Sequence, residues 1–310
     1  MNFELAEEHR MLKELVRKFV DAQLVPLEAD VLARESSGKG SYLTKDEQAK
    51  VDAVSRDLGL LGLDAPEEVG GMNLPMVAMV GVGEELGRTA TPYTLPPDSP
   101  NLRMMMAAAD EKQREHYLAP YVRGETISAI GISEPGAGAD PQLMKTTAVQ
   151  DGDDWVINGR KIWITKADEA DFTILMAVTD KQPNGRNGMS AFLVDRDTPG
   201  FNVLRKIPMI DGTSTYEIAL DDCRVPGWKL LGTRGQGFLP MQIRLGTRRI
   251  EMASWSIGMA QRALDMMLDY APQRVTFGKP LSSRQTVQNW VSEAATKIHA
   301  MRLITYDCAW

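Results

Sequence analysis

Only two cysteines, Cys223 and Cys308, occur among the 310 residues. That is too few for a disulfide framework or a cysteine zinc site, and the usage fits a reducing compartment. Histidine is as scarce. His9, His116 and His299 are scattered through helical text with no cysteine or carboxylate constellation beside them, so each is expected to be a surface or internally satisfied side chain. With 35 Lys and Arg against 42 Asp and Glu the net charge is −7, and no basic cluster of the kind a nucleic-acid surface needs stands out. No apolar run approaches a membrane span. The start, Met1-Asn2-Phe3-Glu4-Leu5-Ala6-Glu7-Glu8, is acidic and lacks a signal-peptide apolar core. These absences lead us to expect a cytoplasmic protein with no membrane span and no nucleic-acid partner.

What is present is length enough for a sizeable core in more than one lobe. Residues 4–35 carry Leu5, Leu12, Leu15, Val16, Phe19 and Val20 near helical spacing, with Pro26 placed to kink or break the helix. Thr44-Lys45-Asp46-Glu47 has a capping-box pattern. Helical text continues through 74–89 and from Ser99 to Arg123, with a Pro-rich loop from Thr91 to Pro100 between. Near residue 126 the texture changes. Thr126 to Ile132, Phe172 to Val178, Met189 to Val194, Phe201 to Ile207 and Tyr216 to Leu220 read as strands divided by Gly, Asn and Asp, and Trp155 to Arg160 reads as a strand running into a tight turn. From Phe238 the helical period returns. Ile257, Ala260, Leu264, Met267 and Leu268 mark one face; Val287, Trp290, Val291, Ala294 and Ile298 mark another. The expected fold is α+β and multi-domain: a helical domain over 1–125, a small β domain over 126–236 and a helical domain over 237–310. The last reads as incomplete, because the pattern is still helical at Tyr306-Asp307-Cys308-Ala309-Trp310 with no stop signal.

Two short segments carry the strongest chemical signal: Ser133-Glu134-Pro135-Gly136-Ala137-Gly138-Ala139-Asp140 and Lys161-Ile162-Trp163-Ile164-Thr165. Together they suit the two edges of a flavin pocket. An isoalloxazine needs a flat apolar partner, and the Trp163 indole is a large rigid face. Its polar rim needs donors, which Ser133, Thr165 and the backbone between could provide. Pro-Gly-Ala-Gly removes bulk and permits a tight turn beside a ligand.

The stretch Ile130 to Asp180 resembles the central region of the acyl-CoA dehydrogenase family, flavoenzymes that oxidise acyl-CoA thioesters to enoyl-CoA. Gln261-Arg262-Ala263-Leu264, followed by Arg274-Val275-Thr276-Phe277-Gly278-Lys279-Pro280-Leu281 and Gln285, resembles the family's cofactor-binding helical region. Leu58-Gly59-Leu60-Leu61-Gly62-Leu63 to Glu68-Val69-Gly70-Gly71 fits as well. The resemblance implies helices, a β-barrel-like middle domain and a C-terminal helical bundle, with FAD as cofactor and an acyl-CoA as substrate. It further implies a homodimer or homotetramer in fatty acid metabolism that passes electrons to an electron-transfer flavoprotein. By position, Ile132 and Ser133 match residues that touch the flavin ring, and Trp163 and Thr165 match those that cover the ring and bond its edge. Arg274, Phe277 and Gln285 match positions that bind the adenosine-diphosphate half of FAD, usually across a dimer interface; an arginine fork suits pyrophosphate. Glu134 and Asp140 are expected to close loop hydrogen bonds.

In α,β-dehydrogenation a carboxylate removes the α-proton while the β-hydrogen leaves as hydride to the flavin. In most of the family that base is a Glu in a C-terminal loop, here beyond Trp310. In a minority it sits at the position of Arg248, so that alternative base is missing. Arg249 matches an arginine near base and substrate. Glu251, two residues on and so on roughly the opposite side of the helix, is the candidate base within this sequence. Ala139 stands where many relatives have a Ser contacting the CoA chain, and Gly246 where some have an Asp contacting pantetheine. Both depart from the straight-chain pattern. Ile207-Pro208-Met209-Ile210-Asp211-Gly212 and Arg244-Leu245-Gly246 resemble a branch of the family that handles oxygenated acyl-CoAs. Two other readings stay open: a non-catalytic acyl-CoA or protein-binding relative, and a flavin oxidase or monooxygenase. Gly81-Val82-Gly83 with Gly87 imitates a dinucleotide fingerprint but is off in spacing, so a small-residue helix face is expected. Met104-Met105-Met106 is expected to pack in the core.

Overall fold

The first helical pattern breaks into pieces around Pro26. Helix α1 spans Glu7–Phe19, a π-helical turn covers Val20–Leu24, a 3-10 turn covers Val25–Leu27, and α2 spans Glu28–Ser36. Proline has no N–H, and its ring collides with the carbonyl four residues back, so the ladder is rerouted before it rather than at it. The computed structural model describes residues 5–181, 187–209 and 213–310. Helix α3, Lys45–Asp57, opens with the expected capping box: Glu47 N donates to Thr44 Oγ1 at 3.3 Å and Thr44 N to Glu47 Oε2 at 2.8 Å. Then follow α4, Met76–Leu86, and α5, Ser99–Ala108. The pattern from Ser99 to Arg123 is not one helix. Asp110 caps a new start through Gln113 N at 2.8 Å, so α6, Glu111–Gln113, a π-helical turn and α7, Ala119–Val122, follow as separate pieces.

The β domain is one eight-stranded sheet. Its strands are β1 Ser128–Gly131, β2 Thr147–Asp151, β3 Asp154–Thr165, β4 Phe172–Lys181, β5 Asn187–Asp195, β6 Phe201–Pro208, β7 Ser214–Pro226 and β8 Leu230–Leu231. The order is β6-β7-β3-β2-β4-β5-β8, with β1 parallel beside β4. One expectation is corrected here. Residues 155–160 do not end in a turn; β3 continues to Thr165, and Gly159 marks a register shift against β7. A Cβ at Gly159 would come within 2.4 Å of Thr146 Oγ1, so this glycine allows a close approach rather than a turn. The tight turn lies earlier, at Gly152-Asp153, and joins β3 to β2, a strand too exposed to leave an alternating pattern. In β4, Phe172, Ile174 and Met176 pack toward the helices while Leu175 and Ala177 face the opposite core. Burial on both faces explains why β4 and β5 read as unbroken apolar runs.

Helix α8, Phe238–Gln273, packs along α4 and α5 and against α9, Gln285–Ala309; between α8 and α9 lies the hairpin of β9, Val275–Thr276, and β10, Lys279–Pro280. Gly83 in α4 and Gly87 at its C-cap form the expected small-residue face: a Cβ on Gly83 would meet Ser254 Oγ at 2.1 Å, and one on Gly87 would meet Trp255 O at 2.2 Å. Met104 and Met105 are fully buried core residues. Among the described residues no helix is long and apolar enough to cross a membrane, and no cluster of ligating side chains could hold a metal.

Candidate active site

A buried ion pair fastens the two signal segments together. Lys161 is fully buried, and its Nζ donates to Ile132 O at 3.1 Å and to Glu134 Oε1 at 2.8 Å. Beside it, Ile162 N donates to Ser133 O at 2.9 Å. Glu134 also accepts from Lys145 N at 2.7 Å and Thr146 N at 3.0 Å. Burial pushes the Lys161 ammonium down to about 8, against the pull of Glu134. Burial acts to raise Glu134, but the Lys161 charge and the donated hydrogen bonds outweigh it and hold the carboxyl low. Both groups are charged at neutral pH. Asp140 Oδ1 accepts from Gln142 N at 2.9 Å, so it and Glu134 close loop hydrogen bonds as expected. Lys161 was missed as a functional residue. Its signal was legible, since a lysine inside an apolar strand is almost never buried unless paired.

Next to this clamp β3 bulges. Lys161 pairs with Ile218 and Ile164 with Tyr216, so Ile162 and Trp163 together oppose the single residue Glu217. Trp163 takes φ 64° and leaves its indole 54% exposed. The left-handed region costs a bulky residue about 1–2 kcal/mol, a strain of the kind that marks functional positions. Thr165 is exposed as well, while Ile132 and Ser133 are half-buried. An aromatic face and a hydroxyl thus stand at the surface beside a backbone segment fixed from beneath.

The second set gathers on the hairpin between α8 and α9. Phe277 and Gly278 both have positive φ, 50° and 73°, the geometry of a two-residue type I′ turn. Phe277 at its tip is 98% exposed. Arg274, just past the end of α8, is exposed, and its guanidinium has no partner among the described residues; Gln285, the first residue of α9, is exposed too. Within this chain no hydrogen bond or ion pair joins the hairpin to the Trp163 segment among the described residues.

The remaining candidates are dispersed. Arg249 is exposed without a partner among the described residues, Ala139 is exposed, and Gly246 has open space where a Cβ would stand. Ile210, Asp211 and Gly212 of the segment likened to the oxygenated-substrate branch lie outside the described residues. Glu251 points to the other side of α8, as its spacing from Arg249 requires. It borders a cavity of about 40 Å³ between α4, α8 and the start of α5, together with Arg248 and Asp98. Arg248 bonds Asp98, the residue that caps α5, and its Nη1 lies 3.0 Å from Glu251 Oε2. That last approach lacks hydrogen-bond alignment, for Oε2 has no hydrogen-bond partner. The sequence did not reveal that Asp98 and Arg248 meet here, because they come from elements far apart in the chain.

Burial pushes the Glu251 carboxyl up to about 8, and Arg248 only partly offsets it. The folded protein therefore keeps a proton that the unfolded chain releases at lower pH. Stability contributed by this group is expected to fall as pH rises from about 4.5 and to level off above about 8. A Glu251→Gln variant should show a smaller drop in Tm across that window. An unchanged drop would mean that Glu251 is already ionised in the folded state.

Comparison with known proteins follows the same outline. The acyl-CoA dehydrogenase N-terminal, middle and C-terminal domains match residues 6–125, 129–223 and 235–310. The (R)-benzylsuccinyl-CoA dehydrogenase of Thauera aromatica is 40% identical over 319 residues, covering 100% of this chain and 79% of that protein. Butyryl-CoA dehydrogenase from Megasphaera elsdenii superposes with a TM-score of 0.87 at 29% identity, covering 100% of this chain and 80% of its own. A glutaryl-CoA dehydrogenase from Mycobacterium smegmatis in complex with FADH2 gives 0.84 at 26% identity, covering 98% and 76%. With all three family domains matched in order along the fold just described, this chain belongs to the acyl-CoA dehydrogenase family, FAD-dependent oxidoreductases that convert acyl-CoA thioesters to enoyl-CoA.

Proposed function

We propose that Ile132, Ser133, Trp163 and Thr165 hold the flavin ring of FAD, and that Arg274, Phe277 and Gln285 hold the diphosphate and adenosine half of an FAD seated on a second copy of the chain. The observation that carries the first assignment is the bulge that turns the Trp163 indole outward beside the Lys161–Glu134 clamp. The second rests on the unpaired Arg274 guanidinium and the exposed Phe277 ring, which a planar, anionic nucleotide would cover. When bound, FAD supplies the acceptor for the hydride from the β-carbon. The chain's own part is to fix the ring against Trp163, offer Ser133 and Thr165 to its polar rim, and keep water from the reacting face. Glu251, whose carboxyl burial pushes up to about 8, is better suited to donate a hydrogen bond than to remove the α-proton.

Exposed Met252, Met259 and Met266 recur every seventh residue along α8, and Trp290 and Ile304 are exposed on α9. Such apolar faces support a homodimer or homotetramer, with an electron-transfer flavoprotein taking the electrons onward; the scarcity of cysteine suits a cytoplasmic setting. The test is flavin retention. Trp163→Ala and Arg274→Gln are each expected to leave the folded protein with much less bound flavin after gel filtration than the unaltered chain. If both keep a full complement, the cofactor assignment is wrong.

A further inference from the structure

Arg244 is buried on α8, yet the hydrogen bond it makes goes to a neutral partner: its Nε donates to Asn101 Oδ1 at 2.7 Å. From there a chain of buried hydrogen bonds crosses three further elements. Asn101 Nδ2, on α5, donates to Ser128 Oγ at 2.8 Å. Ser128 Oγ, at the head of β1, donates to Tyr121 OH on α7, also at 2.8 Å. Tyr121 OH donates to Asp98 O at 3.3 Å. Asp98 is bonded through its carboxylate to Arg248, one turn of α8 beyond Arg244. The circuit leaves α8 at one arginine and returns to it at the next.

Stability alone does not account for this circuit. Desolvating a guanidinium is costly, and apolar side chains of similar volume often fill a core as well or better. A buried polar network with its members satisfied instead holds a core in one arrangement. No side-chain nitrogen or oxygen of Arg244, Asn101, Ser128 or Tyr121 is buried without a partner. What the network fixes is Ser128, the first residue of the four-residue strand β1, which runs straight into Ile132 and Ser133. The far end of that segment is held separately, since Ile132 O accepts from Lys161 Nζ and Ser133 O from Ile162 N. Between the two ends there is little room to shift. A Cβ on Gly131 would lie 2.8 Å from Leu175 Cδ1 on the neighbouring strand β4. A short, closely packed strand passes a displacement of its head on to its tail.

We propose that Arg244 is a positioning residue for the cofactor site: through Asn101 and Ser128 it sets where β1 presents Ile132 and Ser133 to the flavin ring. The proposal rests on the assignment of those two residues to the ring, and adds to it a residue that acts only through others.

The test is FAD binding by the flavin-free protein, followed by quenching of flavin fluorescence, in a double-mutant cycle. Arg244→Met and Ser128→Ala are each expected to weaken binding about tenfold, the order of one buried hydrogen bond lost. Because both act through one chain, the double variant should lie within about twofold of the weaker single variant, not about a hundredfold below the unaltered protein. Arg244→Lys keeps a charged donor and should recover part of the affinity; if Arg244→Met does not fold, Arg244→Lys takes its place in the cycle. Tyr93→Phe is the control for stability. It deletes a buried hydroxyl bonded to Asp52 and Ser55 in the N-terminal core, and should lower Tm while leaving FAD affinity within about twofold. Unchanged affinity in Ser128→Ala, additive losses in the double variant, or an equal loss in Tyr93→Phe overturns the proposal. If Trp163→Ala loses flavin while Ser128→Ala keeps it, the ring assignment stands and the positioning role falls. If Trp163→Ala and Arg274→Gln keep it as well, the cofactor assignment itself is wrong and the proposal falls with it.

Discussion

Lys161→Met is expected to lower folding stability by about 3–5 kcal/mol, because it removes one partner of a buried ion pair and leaves the other uncompensated. Glu134 is 7% exposed and would keep only the two backbone donors, Lys145 N and Thr146 N. The same substitution releases Ile132 O from Lys161 Nζ, so the segment carrying Ser133 loses its anchor to the strand that carries Trp163. Thermal melts should show the lower Tm, and flavin content should fall together with it. Pairing the change with Glu134→Gln removes the stranded charge, and the double variant should regain part of the loss. If Lys161→Met alone melts with the unaltered protein and keeps its flavin, the clamp carries neither stability nor cofactor.

Gly258→Ala should be nearly as damaging. Its Cβ would sit 2.0 Å from Glu84 O and 3.0 Å from the carbonyl carbons of Glu84 and Gly87, all backbone atoms. No side chain can swing aside, so α4 and α8 must part. Overpacking of this kind costs about 1–3 kcal/mol, with rigid sites at the upper end. The cavity that Glu251 borders lies between the same two helices, with Gly83 and Leu86 on α4 and Trp255 on α8 in its wall, so the substitution should disturb that wall along with Tm. Gly246→Ala is the matched control on the same helix. Nothing lies within 4 Å of its Cβ, and replacing a helical glycine should raise stability by about 0.5–1 kcal/mol. Equal Tm values for the two variants would refute the close-packing account of α4 and α8.

Much of the fold was legible because its signals are local. The Thr44 capping box, the helical break near Pro26 and the apolar period of α8 each depend on residues within a turn or two of one another. The misreadings have the opposite origin. Asn158-Gly159 has the composition of a turn, yet Gly159 is required by Thr146, a residue from another strand segment. β2 escaped notice because only Ala148 of its five residues is buried. Ser99 to Arg123 carries helical residues throughout, and the break comes from Asp110 capping a new start.

The two segments proposed to hold the flavin were visible as residue types in order: an indole, hydroxyls and a glycine-rich turn near a strand. The sequence by itself determined the family, the helix–sheet–helix succession and the candidate residues of the cofactor site, since these reside in short contiguous motifs. Only the tertiary structure decided how those motifs are held. The burial of Lys161 against Glu134, the outward bulge of Trp163 and the meeting of Asp98, Arg248 and Glu251 at one cavity all join distant segments. The physical reason is that burial and charge pairing are properties of what surrounds a side chain, and for these residues the surroundings come from other parts of the chain.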